Sequence, residues 1–269
     1  MSVTEKNLVD KAPNPEDLRR KNRWISATTI AVILLVWIAV TELKLVRPLF
    51  LPPPQDLWAS MLKLGPNLPY DIFASLILRI IPGFLIGSLV GAFIGVLMAM
   101  NRVGRAIISP IVEVLRPLPP LALIPLLILW LGIGNSTQIL LIAYGSFIIL
   151  VVNSFEAVRN VPPIYIHAAT TLGATSRQIF RRVIIPAIIP DIFGAVRVSA
   201  AASFGYCVAA ELLGASSGLG YRLILARRYL ATDNIIVILI VIAILSFALD
   251  AAFRSLNNRA TAWKSRLDR

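Results

Sequence analysis

Long apolar runs separated by short polar or basic segments dominate the chain. Runs near 20 residues are what an α-helix needs to cross a hydrocarbon core of about 30 Å. The first, 24–43, follows a polar stretch rich in Lys and Arg and ends in TELKL. It is longer than the apolar core of a signal peptide and lacks a small-residue cleavage site, so it reads as an anchor. Further spans are expected at about 78–100, 106–131, 139–155, 191–213 and 235–253. Pro117, Pro119, Pro120 and Pro125 break the third of these six spans. An even number of spans places both termini on one side.

Two spans carry a second pattern. Gly83, Gly87, Gly91 and Gly95 recur every fourth residue, which puts them on one helix face where a neighbouring backbone can approach closely. The fifth span is similarly rich in small residues, Gly194, Ala195, Ser199, Ala200, Ala201, Ala202, Ser203 and Gly205, and reads as a central packing helix.

Composition agrees with the pattern. Of 269 residues, 57% are hydrophobic and 15% charged, with a mean hydropathy of +0.79, against about 25% charged in a soluble domain. Single residues, Cys207 and His167, exclude a disulfide scaffold and a histidine-rich zinc site. The net charge of +12 would suggest nucleic acid in a soluble protein, but here its distribution follows topology. With the N-terminus inside, 17 Lys and Arg fall on the inner side, against six outside: Lys44, Arg47, Lys63, Arg222, Arg227 and Arg228. The expected protein is all-α and polytopic, with cytoplasmic tails at 1–23 and 256–269 around a transmembrane domain at 24–255. Lipid, not nucleic acid, is its medium.

The inner loop at 157–187 contains the segment NVPPIYIHAATTLGATSRQIFRRVIIPA. Pro163 suits a first helical turn and Gly173 the position after a helix end, predicting a short helix at about 163–172. Thr175 and Gln178 have capping-box spacing for a second helix. On it Ile179, Phe180, Val183 and Ile184 share a face, with Arg177 and Arg181 on another. Pro186 is expected to set the fifth span off as a separate helix.

The pattern His-Ala-Ala, three residues, Gly, nine residues, Val-Ile-Ile-Pro, from His167 to Pro186, resembles the EAA loop of type I ABC-importer permeases. Ala168, Ala169, Gly173 and Pro186 match that motif, Val183 and Ile185 are conservative, and His167 replaces its glutamate. FLPPP at 50–54, EVLRPLPPLALIPLLILWLGIG at 113–134, AAELLGASSGLG at 209–220 and YLATD at 229–233 are similar to the taurine, alkanesulfonate and nitrate branch, the second run most of all to taurine permeases.

The resemblance implies a type I importer transmembrane fold in the inner membrane. It implies a homodimer, two ABC ATPases docked through the 160–186 loop, and an extracytoplasmic solute-binding protein. The docking residues it implies are Tyr165, His167, Ala168, Ala169, Thr171, Gly173, Arg177 and Pro186. No cofactor is expected on this chain. It has no G-x4-G-K-[ST] loop, so ATP and Mg would be bound by the partner ATPase, and the chain itself is not expected to be an enzyme.

Candidates for the pathway or gate are Glu113, Arg116, Pro117, Pro119, Pro120, Ser203 and Glu211. Charges within a span need a reason. Glu113 and Arg116, three apart, either neutralise each other or serve the pathway. The prolines mark either a simple helix break or a re-entrant kink beside a substrate path. Glu211 is either solvated at an outer helix end or a gate. Arg197 is read as snorkelling to the inner interface, and Cys207 as a small buried hydrophobe. The outer arginines Arg222, Arg227 and Arg228 suit an anionic substrate, a binding protein or a headgroup surface equally. The alternative function is an ATP-independent secondary carrier, for which Glu113 is the best mid-span acid, or a membrane enzyme, for which no H-E-x-x-H or cysteine cluster is present.

Overall fold

The computed structural model describes residues 15–260, and every element among them is helical. The chain divides into two compact units, Met1–Ser60 and Met61–Arg269. In the first, α1 spans Pro15–Glu42, so the polar segment expected as a tail becomes helical at Pro15. Residues 1–14 of that tail, and 261–269 of the other, lie outside the described residues. The apolar stretch of α1 among the described residues, Thr28–Glu42, is about 22 Å long, shorter than a hydrocarbon core by itself. Ile30, Ile33 and Leu35 are all exposed, as suits a helix meeting lipid. Trp37 Nε1 donates to the Pro52 carbonyl at 3.2 Å, tying the FLPPP turn back to α1.

The boundary between the units falls within α2 (Pro54–Leu64). The second unit continues with α3 (Leu68–Met100), α4 (Arg102–Leu115), α5 (Pro120–Leu131), α6 (Asn135–Arg159), α7 (Pro163–Thr171), α8 (Ser176–Gly214), α9 (Leu219–Arg228) and α10 (Thr232–Ala260). Of these α3, α6, α8 and α10 are each long and apolar enough to cross a membrane.

The glycine face is the seam of α3 on α6. A Cβ at Gly83 would meet the Ile139 carbonyl oxygen at 2.7 Å, and one at Gly91 the Phe147 oxygen at 2.6 Å. Gly87 and Gly95 face the carbonyls of Ala143 and Val151 as closely. Both numbers of each pair rise together by four, so the two helices run parallel. The chain therefore leaves α3 at one end of the bundle and enters α6 at the other. The segment between them must cross back. It does so as α4 and α5, bent by 84° at the proline cluster. This makes it a broken span rather than a re-entrant loop, giving five crossings between Leu68 and Asn257.

A break inside a membrane exposes backbone groups that lipid cannot satisfy. At the bend, Tyr144 Oη of α6 donates to the Leu115 carbonyl at 2.8 Å; beyond the far end of α5, Thr137 Oγ1 donates to the Gly132 carbonyl at 2.6 Å. Gln138 Nε2 does the same for the Gly214 carbonyl at the end of α8, at 3.1 Å.

Prolines elsewhere are absorbed without a break. The Ile81 N–H bonds to the Leu76 oxygen and the Ile185 N–H to the Phe180 oxygen, five residues back instead of four. Each widened turn directly precedes a proline, Pro82 or Pro186. A proline has no N–H to donate, and its ring clashes with the carbonyl four residues earlier; a widened turn relieves both problems. Pro186 thus does not separate the loop from the fifth span. The helix runs unbroken from Ser176 to Gly214, 39 residues or about 58 Å, nearly twice a hydrocarbon core. Its basic end, Arg177, Arg181 and Arg182, projects with the loop.

Candidate docking loop and buried polar cluster

The loop forms from local rules. Helix α7 ends at Thr171, Gly173 takes the left-handed conformation (φ 78°), and the Gly173 N–H bonds back to the Thr170 oxygen. Thr175 and Gln178 make the expected reciprocal cap: the Thr175 N–H donates to Gln178 Oε1 at 2.8 Å and the Gln178 N–H to Thr175 Oγ1 at 3.4 Å. Tyr165, His167, Ala168, Thr171, Gly173 and Arg177 are exposed, while Ala169 and Pro186 are half-buried. Ile164 and Leu172 stand 66% and 87% exposed, so the tip presents apolar surface away from the bundle. Its base is a core of Ala157, Val161, Ile184 and Ile188, with Ile179 and Phe180 packed against it. A shallow cleft of about 550 Å³ opens beside that base between α6 and α8, lined by Asn153, Glu156, Asn160, Asp191 and Gly194.

The opposite end of α6 and α8 holds a buried polar cluster. Glu211, 1% exposed, accepts through Oε1 from Arg79 Nη1 at 2.5 Å and Ser75 Oγ at 2.7 Å, and through Oε2 from the Gly220 N–H at 2.7 Å. Arg79, 3% exposed, spends its other donors on Asn135 Oδ1 at 2.9 Å, the Ser217 carbonyl at 2.7 Å and Ser217 Oγ at 3.1 Å. Asp71 accepts from the Gly218 N–H at 2.8 Å and from Arg222 Nε, and Ser75 Oγ accepts from the Leu219 N–H at 2.9 Å. The first amides of α9 are thereby paired with two carboxylates and a hydroxyl, which also suit the positive end of the helix dipole. Gly218 has φ 110° and no room: a Cβ would lie 2.5 Å from both Arg79 Nη1 and Glu211 Oε1. This closes the AAELLGASSGLG segment onto α3. Within it GASSG at 214–218 has the G-x-S-x-G form of a hydrolase nucleophile elbow, but it joins two helices instead of following a strand. The chain's one histidine lies at the other end of the bundle.

Several readings of single residues change. Glu211 is not solvated at a helix end; it is fully paired inside the protein. Glu113 does not neutralise Arg116: it accepts from Ser109 Oγ at 2.9 Å, both it and Arg116 are exposed, and no ion pair joins them. Arg197 pairs through two nitrogens with Asp250, which Arg254 also contacts at 2.8 Å, so its role is structural. Cys207 is buried, yet its Sγ lies 3.3 Å from Glu211 Oε1, at the edge of the polar cluster. Ser203 is fully buried between α6 and α8, 3.2 Å from Ser146 Oγ. Pro117 and Pro119 are exposed and Pro120 half-buried at the 84° bend. Arg79, Asp71, Ser75, Asn135 and Ser217 were not singled out by the sequence pattern. An arginine flanked by apolar residues was the one signal pointing at them.

The family described as "Binding-protein-dependent transport system inner membrane component" matches residues 83–262, which include the candidate docking loop and the α8–α9 segment. The chain belongs to this family. As such a permease, it is 37% identical over 258 residues to the taurine transport system permease protein TauC of Escherichia coli (strain K12), covering 91% of this chain and 94% of the relative. It is 31% identical over 266 residues to the putative aliphatic sulfonates transport permease protein SsuC of Bacillus subtilis (strain 168), covering 97% and 94%. An inward-facing structure of the MetNI methionine ABC transporter superposes on the permease with a TM-score of 0.62 and 23% identity, over 74% of this chain and 98% of that one. A likeness at that identity supports the fold alone. The permease is therefore a multi-pass membrane component of an ABC importer, a class that works with an ATPase and a solute-binding protein.

Proposed function

We propose that this permease carries taurine, or a close aliphatic sulfonate, inward by alternating access driven by a separate ATPase. Nitrate, bicarbonate or a heterocyclic vitamin precursor are the next candidates. The observation that carries the reading is the near-full-length similarity to a taurine permease at 37% identity, joined to an exposed helical loop with the spacing of the coupling motif. In this reading two copies form a homodimer with cytoplasmic termini. Two ATPases bind the loops around Tyr165, His167, Ala168, Ala169, Thr171, Gly173 and Arg177, against the apolar tip of Ile164 and Leu172. ATP binding closes the ATPase pair and moves the loops. Because α7 is seated on the base of α8, that motion reaches α8 directly and opens the path outward to a loaded binding protein. Hydrolysis resets it.

The secondary-carrier alternative loses support from the acids. Glu211 is committed to Arg79, and Glu113 is exposed on α4 beside Ser109 rather than enclosed in a proton site. The test is ATP hydrolysis by the permease reconstituted with its ATPase and binding protein, with candidate ligands added singly. Stimulation by taurine above alkanesulfonates is expected. Stimulation by nitrate or bicarbonate alone would displace the sulfonate assignment, and uptake that persists without ATP would remove the importer mechanism. A charge-introducing L172D change should lower ATPase association while leaving membrane insertion intact.

A further inference from the structure

Three helix ends meet at the loop end of the bundle on a single aromatic ring. Phe155 lies one turn before the end of α6, and the Cζ atoms of Arg105 and Arg159 stand over its ring at 5.2 and 5.5 Å from the centroid. Arg105, in the first turns of α4, also donates from Nε to the Met98 carbonyl at 3.3 Å and from Nη2 to the Ala99 carbonyl at 3.1 Å. Those carbonyls are among the orphans that end α3, where a cation is favourable. Arg159 is the last residue of α6 and leads directly into the docking loop. Below the ring, Val112 of α4 packs with Met98 and Val151, with Phe155 against them. Asn101 fixes the start of α4 by accepting from the Val103 N–H at 2.9 Å.

We propose that the Arg105–Phe155–Arg159 stack is a positioning device that carries loop displacement to the broken span. It rests on the importer reading above. The loop is joined to α6 at Arg159. A shift of that end moves the Phe155 ring, and the ring holds Arg105 and with it the start of α4. Helix α4 is a lever because its far end stops at the proline bend, so a change at its start is expressed as a change in the 84° angle to α5. Apolar packing already couples the helices; the two cations by the ring add a directional electrostatic attraction that resists their separation from it.

The test uses the full complex in proteoliposomes, with labelled taurine as probe and taurine taken up per ATP hydrolysed as the readout. F155L retains apolar bulk and removes the π face. It is expected to lower uptake per ATP about fivefold, with binding-protein-independent hydrolysis retained. F155W and F155Y restore the face and are expected to keep the ratio within about twofold of wild type. A ratio for F155L equal to wild type overturns the inference, as does loss in F155W and F155L alike, which would mean that shape and not charge–π attraction matters. If F155L fails to assemble, R159Q and R159K carry the test, since Arg159 is exposed: loss in Q with retention in K supports the stack, and no change in either overturns it. Wild-type uptake that is independent of ATP would instead bring down the importer reading, visible before any variant is compared.

Discussion

Removing the Glu211 carboxylate is the sharpest probe of what holds together the end of the bundle opposite the loop. In E211A, Arg79 keeps Asn135 and Ser217, both neutral acceptors, and loses its counter-charge while only 3% exposed. Breaking one side of a buried ion pair costs about 3–5 kcal/mol, because the remaining charge stays desolvated. Ser75 Oγ and the Gly220 N–H lose an acceptor at the same time, so the upper part of that range applies. For a chain of this size the upper part of that cost, about 4–5 kcal/mol, corresponds to an apparent Tm lower by about 8–20 °C. The assay is thermal unfolding of the purified subunit in detergent at a fixed scan rate, because unfolding of such a protein is judged as a rate. E211Q keeps an acceptor for Arg79 but turns an amide NH2 toward a backbone N–H, and should fall between E211A and wild type. The R79L/E211L pair, which leaves neither charge buried, should lose less than the two single changes combined. An E211A protein melting within 2 °C (about the size of one weak contact) of wild type would refute the reasoning.

Other changes follow from the same geometry. G91V should cost about 1–3 kcal/mol or block assembly, since any Cβ there meets the Phe147 oxygen at 2.6 Å; G205A, with nothing within 4 Å, should be neutral or slightly stabilising in the same melting assay. G218A places a methyl against Arg79 and Glu211 in a backbone conformation that L residues avoid, and should approach E211A in severity. Y144F leaves the Leu115 carbonyl without its donor at the bend, which should lower stability by about 1–3 kcal/mol and raise amide hydrogen exchange through 112–120; unchanged exchange would show that the break does not depend on Tyr144.

The parts of the molecule legible in one dimension are those whose partners lie within a turn or two. The Thr175–Gln178 cap and the left-handed Gly173 are local geometries, and both form as their spacing predicts. The glycine repeat likewise announced a close helix contact. Its partner and direction were not readable, because four glycines specify how near a backbone can come and not which one comes. The parallel register with α6 turned the proline-rich segment from an open choice into a crossing span. Pro186 shows the same limit in reverse: a proline forbids one hydrogen bond locally, and whether the helix breaks or widens depends on the packing on either side.

From the sequence alone come the membrane medium, the helical class, the approximate spans and the loop that marks the family, since hydrophobic length, period and short motifs are properties of neighbouring residues. Only the tertiary structure pairs Arg79 with Glu211, 132 positions apart, and separates Glu113 from Arg116, three apart. Burying a charge is tolerable only where folding brings an opposite charge and donors to the same place, so the partner of a buried ion is decided by the fold and not by nearness along the chain.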